Sequence, residues 1–441
     1  MKSLLRYFPL NRIAIAGAAV VTALLAPASG SAQQLSGRFI TSFDTWEKFD
    51  TIGVSHKVFR GFQSAIIDIG QGRYSLHTNM QAATTDVDLP EGGSDYRLYN
   101  LYLKAKDIGG LADVSLGRVP YYFGVGMGTL DGAVVGVHTA DLRCRLSLYG
   151  GASAPMDFGV HSIGTMKDKF AIGGQFLFSP RPEIRGGLSY VNRRQPLPPY
   201  YAVRVDPSSL DGSTVLIVPE PEREQMGGVD LTYTKNGITA YGRYDYNFEE
   251  TKTQYGQLGL RYQLNPDVLI TVYATRREPR VPVGSFFSQF TLKGITEIEG
   301  GADYFVLPGW RTFLRGAYVV YQGENSFRYS AGFGREEVQL VVRGNTGYAG
   351  ELASVSLQGA YPLLDNRVVP NAGIGYMSYK VDENAPRYSA TSAVLGTTLR
   401  PFSALSLDLQ GQWLNNFIVK SDFRFVGRIH FWFSDRLNLF D

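Results

Sequence analysis

From Gly37 to Phe433 the chain alternates apolar and polar residues with a period of two, in segments of which many reach ten residues or more. Successive strand side chains point to opposite sides of a sheet, so each such segment has one greasy and one wettable surface. Near the C-terminus Leu405, Leu407, Leu409, Gly411 and Trp413 share one face, against Ser406, Asp408, Gln410 and Gln412. Phe423, Phe425, Gly427, Ile429, Phe431 and Phe433 likewise oppose Asp422, Arg424, Val426, Arg428, His430 and Trp432. Leu142, Cys144, Leu146 and Leu148, then Val229, Leu231 and Tyr233, then Leu258, Leu260 and Tyr262 repeat the pattern upstream. Turn residues punctuate it at Gly70-Gln71-Gly72, Asn236-Gly237, Asn265-Pro266-Asp267 and Leu307-Pro308-Gly309.

Such a pattern suits a soluble sandwich or propeller, which buries the apolar face against a second sheet. It equally suits a transmembrane barrel, which turns that face to lipid. The N-terminus separates the two. Lys2, Arg6 and Arg12 precede the apolar stretch Ile13–Ala26, and Gly30 and Ala32 stand at small-residue positions suited to a signal peptidase. Residues 1–32 are expected to be a cleavable signal peptide and 33–441 the barrel. The formal charge of +3 comes from those three basic residues alone, since the segment holds no acid. The exported chain is therefore neutral, and its composition gives no reason to expect nucleic acid as a partner.

Strand length and aromatic placement add to the case for a barrel. About ten residues cross a bilayer at a tilt. Tyr244, Tyr246 and Phe248, and again Phe431 and Phe433, cluster near strand ends, where aromatic girdles sit at the membrane interface. The fold expected is all-β, a transmembrane antiparallel β-barrel of about 16–18 strands in the bacterial outer membrane. Thr45–Lys57, Thr85–Ser94, Arg194–Glu224 and Arg276–Ser288 do not alternate and read as external loops. The third holds Pro196, Pro198, Pro199, Pro207, Pro219 and Pro221, which no central strand accommodates. The single Cys144 excludes an intramolecular disulfide. His56, His77, His138, His161 and His430 are too scattered for a His-based metal site, and nothing calls for a cofactor.

One segment stands apart. Leu116-Gly117-Arg118-Val119-Pro120 leads into the Gly- and aromatic-rich stretch Tyr121–Thr129, followed by Leu130-Asp131-Gly132-Ala133. Gly124, Gly126 and Gly128 lack the spacing and the following helix of a nucleotide-binding loop. A loop folded back into the lumen suits these residues, with Tyr121, Tyr122, Phe123 and Asp131 as its candidate constriction residues. This Gly-Arg … Leu-Asp-Gly hairpin resembles that of the phosphate-selective and alginate-type porins of Gram-negative bacteria, and the resemblance implies a solute-passing barrel. Between Val119 and Ala133 there is no Lys or Arg, so it carries architecture and not a phosphate or alginate specificity. Arg428–Phe433 similarly resembles the C-terminal signal read by the barrel-assembly machinery.

By parity, Arg143, Arg145, Arg185, Arg243, Arg261, Arg311, Arg315, Arg343, Arg400, Arg424 and Arg428 point into the lumen. The inward acids legible in the same way are Asp113, Asp230, Asp245, Asp408 and Asp422, leaving the remaining acids to loops. An Arg-lined lumen favours anions, whereas Arg–Asp pairs across strands would stiffen the wall instead. The function expected is a porin-like channel for small polar or anionic solutes, embedded in outer-membrane lipid, with a homotrimer as its assembly. The alternative is a structural or surface-interaction barrel with a closed lumen. Lipid hydrolysis is a third reading. Ser75, His77 and Asn79 share a strand face, but side chains two apart on one strand point in parallel and give no convergent relay. The expectation is therefore no enzyme.

Overall fold

The computed structural model describes residues 33–49, 55–85, 96–155, 158–159, 166, 169–195, 197, 199–205, 212–281, 290, 292–347, 350–381, 385–418 and 420–437. The expected signal segment 1–32 and nearly all of Thr85–Ser94 lie outside them. The strands are β1 (Gln33–Phe49), β2 (Ser55–Gln71), β3 (Tyr74–Thr85), β4 (Tyr96–Ile108), β5 (Ala112–Phe123), β6 (Gly126–His138), β7 (Cys144–Ser153) and β8 (Phe170–Arg181). There follow β9 (Ile184–Gln195), β10 (Tyr200–Val205), β11 (Gly212–Ile217), β12 (Glu222–Lys235), β13 (Ile238–Asn247), β14 (Lys252–Asn265), β15 (Val268–Arg277) and β16 (Ile295–Leu307). The last eight are β17 (Trp310–Tyr321), β18 (Glu324–Arg335), β19 (Val338–Gly347), β20 (Glu351–Ala360), β21 (Val368–Lys380), β22 (Tyr388–Phe402), β23 (Leu405–Asn415) and β24 (Asp422–Leu437).

Each strand pairs antiparallel with its sequence neighbour, β9 passes directly to β12, and β24 returns to pair with β1. The result is a closed barrel of 22 strands, more than the 16–18 that alternation suggested. Alternation undercounts where both faces of a strand carry apolar residues, as in Ala65-Ile66-Ile67 of β2 and Ala133-Val134-Val135 of β6. Closure leaves no sheet edge, so every wall strand has a ladder partner on both sides, as lipid demands. The C-terminal signal Arg428–Phe433 lies inside β24, whose continuation to Leu437 pairs with the start of β1.

The two faces follow the sequence parity. Leu146 and Leu148, Leu188 and Tyr190, Val229 and Leu231, and Leu258 and Leu260 are exposed large apolar side chains of one parity, and they form the outer, lipid-facing belt. Phe39 stacks on Phe433 at 5.5 Å, and Trp310 on Phe333 at 4.8 Å, at the end where the turns are short. That end is periplasmic, since the long connections of such barrels face outward.

Several expected loops are corrected by the fold. Thr45–Lys57 is mostly wall: Thr45 pairs with Phe59 and the ladder runs on to Phe49 and Ser55. Arg194–Glu224 contains a separate hairpin, β10–β11, with Pro196–Pro199 before it and Pro219 and Pro221 after it. Tyr121–Thr129 is no loop: its ends are strand, and only Gly124 and Val125 form the turn.

Candidate functional site

The β5–β6 hairpin leaves the wall part-way along its length. β5 pairs with β4 only as far as Arg118, and β6 with β7 only from Leu130 onward. Beyond those points the two strands pair only with each other, up to Phe123 and Gly126. At the root Arg118 is buried and bidentate on Asp131, with Nε to Oδ1 at 2.7 Å and Nη2 to Oδ2 at 2.9 Å. Its Nη1 donates to the carbonyls of Leu98, at 3.1 Å, and Gly159, at 3.2 Å. The chain after β7 closes the wall behind the departing hairpin: Leu98 N–H donates to Phe158 O at 2.9 Å and Arg97 bridges to Gly159.

The tip lies against the inner faces of β7, β8, β9 and β12. Tyr121, Val125 and Leu130 are buried there with Tyr149, Ala171, Val191 and Met226, all of lumen parity on their strands. Tyr121 stacks on Tyr149 with ring centroids 4.3 Å apart, and Phe123 on Tyr149 at 5.6 Å. Val125 N–H donates to Ser189 Oγ at 3.1 Å. The glycines are explained by this contact. Gly124 has φ +61°, and a Cβ there would run into Ser189; a Cβ on Gly126 would run into the Tyr149 hydroxyl. Tyr122 and Met127 form a cross-strand pair on the other side of the hairpin and are exposed. Of the four constriction candidates, Tyr121 and Phe123 thus pack on the wall, Tyr122 projects away from it, and Asp131 is engaged by Arg118.

Five of the ten candidate arginines on wall strands have a carboxylate within 4 Å. Arg243 binds Asp245, with Nη2 to Oδ2 at 2.8 Å, Arg424 binds Asp422 at 2.7 Å, and Arg145 stands 3.9 Å from Asp113. Arg311 and Arg315 share Asp303, which is almost completely buried, Arg315 at 2.7 Å. Arg328, not singled out by the sequence, reaches both Glu297 and Glu299. The expectation that the remaining acids would be left to loops is therefore corrected: Asp44, Asp68, Asp303, Glu297 and Glu299 all lie on strands. Asp44, Asp68 and Asp303 find their partners on an adjacent strand, and Glu297 and Glu299 find Arg328 two strands away across β17, so the two signs neutralise locally. Arg143 is also corrected, lying in the β6–β7 turn beside Asp141 at 3.3 Å.

Arg185, Arg261, Arg343, Arg400 and Arg428 have no carboxylate partner among the described residues. Arg400 donates to Asn366 O at 3.2 Å. Arg343 lines a recess of about 460 Å³ with Glu299, Arg311, Arg315, Arg328, Ser330 and Asn345.

A second polar group faces the lumen on β2 and β3. His77 Nδ1 is hydrogen-bonded to Asp68, and its Nε2 lies 2.8 Å from Ser75 Oγ. The ring stacks on Tyr102 of β4 at 4.8 Å. Contrary to expectation the side chains do converge, because the imidazole reaches along its own strand to Ser75 while its third partner comes from β2. Asn79 takes no part. The turn that links Gln71 to Tyr74 sets the register, and counting three residues back on each strand brings Asp68 opposite His77. Counting five residues back from Phe123 and Gly126 brings Arg118 opposite Asp131, so both pairs are within reach of a tight-turn reading.

No family model matches the sequence, and no curated protein matches it either. The fold is similar to solved structures. The E. coli P pilus tip assembly intermediate PapC-PapD-PapK-PapG in its second conformation superposes with a TM-score of 0.52 at 9% identity, over 92% of this chain and 62% of that one. OccAB4 of Acinetobacter baumannii gives 0.42 at 10% identity, over 93% and 100% of the two chains. A BenF-like porin from Pseudomonas fluorescens Pf-5 gives 0.41 at 9%, over 92% and 99%. At such identities the likeness concerns the fold. Closed on itself, apolar outside and polar within, this chain is a transmembrane β-barrel of the bacterial outer membrane.

Proposed function

We propose that this protein is a channel for small polar and anionic solutes, with the tucked β5–β6 hairpin as its constriction and the unpaired arginines as its selectivity element. The observation that carries the reading is the lumen wall itself. Arg343 and Arg261, like Arg185, Arg400 and Arg428, present guanidinium without a carboxylate partner among the described residues. Barrel diameter grows with strand number, and a single hairpin tip on one side of a 22-stranded wall leaves room for solute. Tyr122 and Met127 on the free side of the tip would narrow the path, while the packed side holds the tip in place. Rings of unmatched Arg lower the electrostatic barrier for anions.

The test is the reversal potential of single channels in a salt gradient. Wild-type protein is expected to favour anions, and Arg343→Glu with Arg261→Glu to reverse or abolish that preference. A cation preference in the wild type would sink the reading. Residues 1–32 act in it as a removed signal peptide, which the mass of the mature protein from the outer membrane checks. The C-terminal strand acts as the handle for barrel assembly, and a homotrimer is the expected assembly, checked by its mass in detergent. A surface-interaction role is favoured by one observation, the β10–β11 hairpin, on which Tyr201 and Val203, and the adjoining Val218, are exposed. Deleting residues 200–217 is expected to leave conductance intact and to weaken any binding to cell-surface polymers.

A further inference from the structure

We propose that Ser75, His77 and Asp68 form a hydrolytic relay that opens into the lumen near its periplasmic end and cleaves carboxylic esters of water-soluble molecules. The inference is independent of the channel reading, which uses neither these residues nor their chemistry.

The order of the bonds is the argument. Asp68 engages Nδ1 of His77, so the ring proton is held on that nitrogen and Nε2 is left as an acceptor. Ser75 Oγ lies 2.8 Å from Nε2, where its hydroxyl proton can pass to the ring. This is the role assignment of a nucleophile, a base and an orienting carboxylate. Another inward histidine of the described wall lacks it. His430 Nε2 lies 3.2 Å from Asp408, but its Nδ1 is buried without a partner and no hydroxyl completes a chain. The Tyr102 ring stacked on His77 fixes the plane of the imidazole. Lys104 stands directly opposite Ser75 in the β3–β4 register, on the same face. Directly opposed residues have Cβ atoms roughly 4.5–5.5 Å apart, so its ammonium can reach an oxyanion that develops beside Ser75.

The chemistry balances without a co-reactant other than water. Ser75 Oγ bonds to the ester carbonyl carbon as its proton moves to His77 Nε2, and the carbonyl oxygen takes the negative charge. The C–O bond to the alcohol then breaks, and the departing oxygen takes the proton from Nε2, leaving acyl-Ser75. Water, giving its proton to Nε2, attacks the acyl carbon, and the Ser75–acyl bond breaks to release the acid and restore the hydroxyl. Ser75 and His77 are the catalytic residues, and Asp68 is a positioning residue. The substrate class follows from the face. Ser75 and His77 share the lumen parity with Lys104, while Leu101 and Leu103 are exposed on the lipid side of the adjoining strand. Esters dissolved in water reach the relay, and acyl chains in the bilayer do not.

The test uses the full-length mature protein in detergent, with p-nitrophenyl acetate and butyrate as substrates and a fluorophosphonate as covalent probe. The expected result is hydrolysis above background and a probe adduct mapped to Ser75. Ser75→Ala should abolish both. Asp68→Asn should lower kcat by roughly 10²–10⁴-fold with KM little changed, as loss of the correct tautomer does, and Asp68→Glu should recover part of it. Conductance and heat-modifiable mobility of Ser75→Ala, kept at wild-type values, show that the barrel is folded. Wild-type protein that is inert to both probes overturns the proposal. So does activity that survives in folded Ser75→Ala, or cleavage confined to phospholipid vesicles.

Discussion

Replacing Tyr121 by Ala removes the side chain on which the seating of the β5–β6 tip most depends. Tyr121 is only 2% exposed, and it contributes both its burial and its stack on Tyr149. Truncating a buried aromatic costs about 3–5 kcal/mol, and each 1.4 kcal/mol is a factor of ten, so the docked tip should lose from about 10²-fold to a few thousand-fold in population against undocked forms. Val125, Phe123 and the Val125–Ser189 hydrogen bond remain to hold it. The wall ladders are untouched, because from Val119 to Gly128 the hairpin strands pair only with each other. The change should therefore appear in the channel and not in the barrel: a higher open conductance with new flicker in planar bilayers, and an unaltered heat-modifiable mobility. A folded Tyr121→Ala protein whose single-channel amplitude and noise match the wild type would refute the assignment of the tip as a constriction.

Three further outcomes follow from other parts of the wall. Asp131→Ala leaves the buried Arg118 without its carboxylate, and breaking such a pair costs about 3–5 kcal/mol; a lower urea midpoint for the barrel, larger than for Asp113→Ala at the exposed 3.9 Å pair, is expected. Leu258→Arg places a charge at the middle of the lipid-facing side of β14 and should reduce the free energy of folding into vesicles by about 2–4 kcal/mol, whereas Gln257→Arg on the lumen side should change it little. In the β6–β7 turn, the Thr139 hydroxyl, donating at 2.6 Å, and the Arg143 backbone N–H hold the Asp141 carboxyl below its ordinary value of 3.8. A depressed carboxyl contributes its stabilisation above the unfolded-state value and loses it as pH falls through the folded one, so Thr139→Val should raise the Asp141 titration midpoint measured by NMR.

Much of this architecture was legible from residues alone. Alternation in Leu405–Trp413 and Asp422–Phe433 placed β23 and β24 and their lipid and lumen faces, because parity is a local property of an extended chain. It placed ten of its eleven candidate arginines on wall strands, and it failed at Arg143 because Asp141 and Thr139 bind the chain into a turn before β7 begins. It missed Arg328 and Asp303, whose relevance comes from who stands beside them rather than from their own segment.

The period of two determined that this chain makes long strands with a greasy and a wet side, and it could do so because that information lies within a few consecutive residues. Tertiary structure decided what the strands enclose. Closure at 22 depends on β24 meeting β1 across the whole chain. The hairpin turns inward because Tyr121, Val125 and Leu130 find Tyr149, Val191 and Met226 on three other strands, and a lumen-facing apolar residue can be stable only when something covers it. His77 acquires Asp68 through register, a relation between two strands that neither segment states alone.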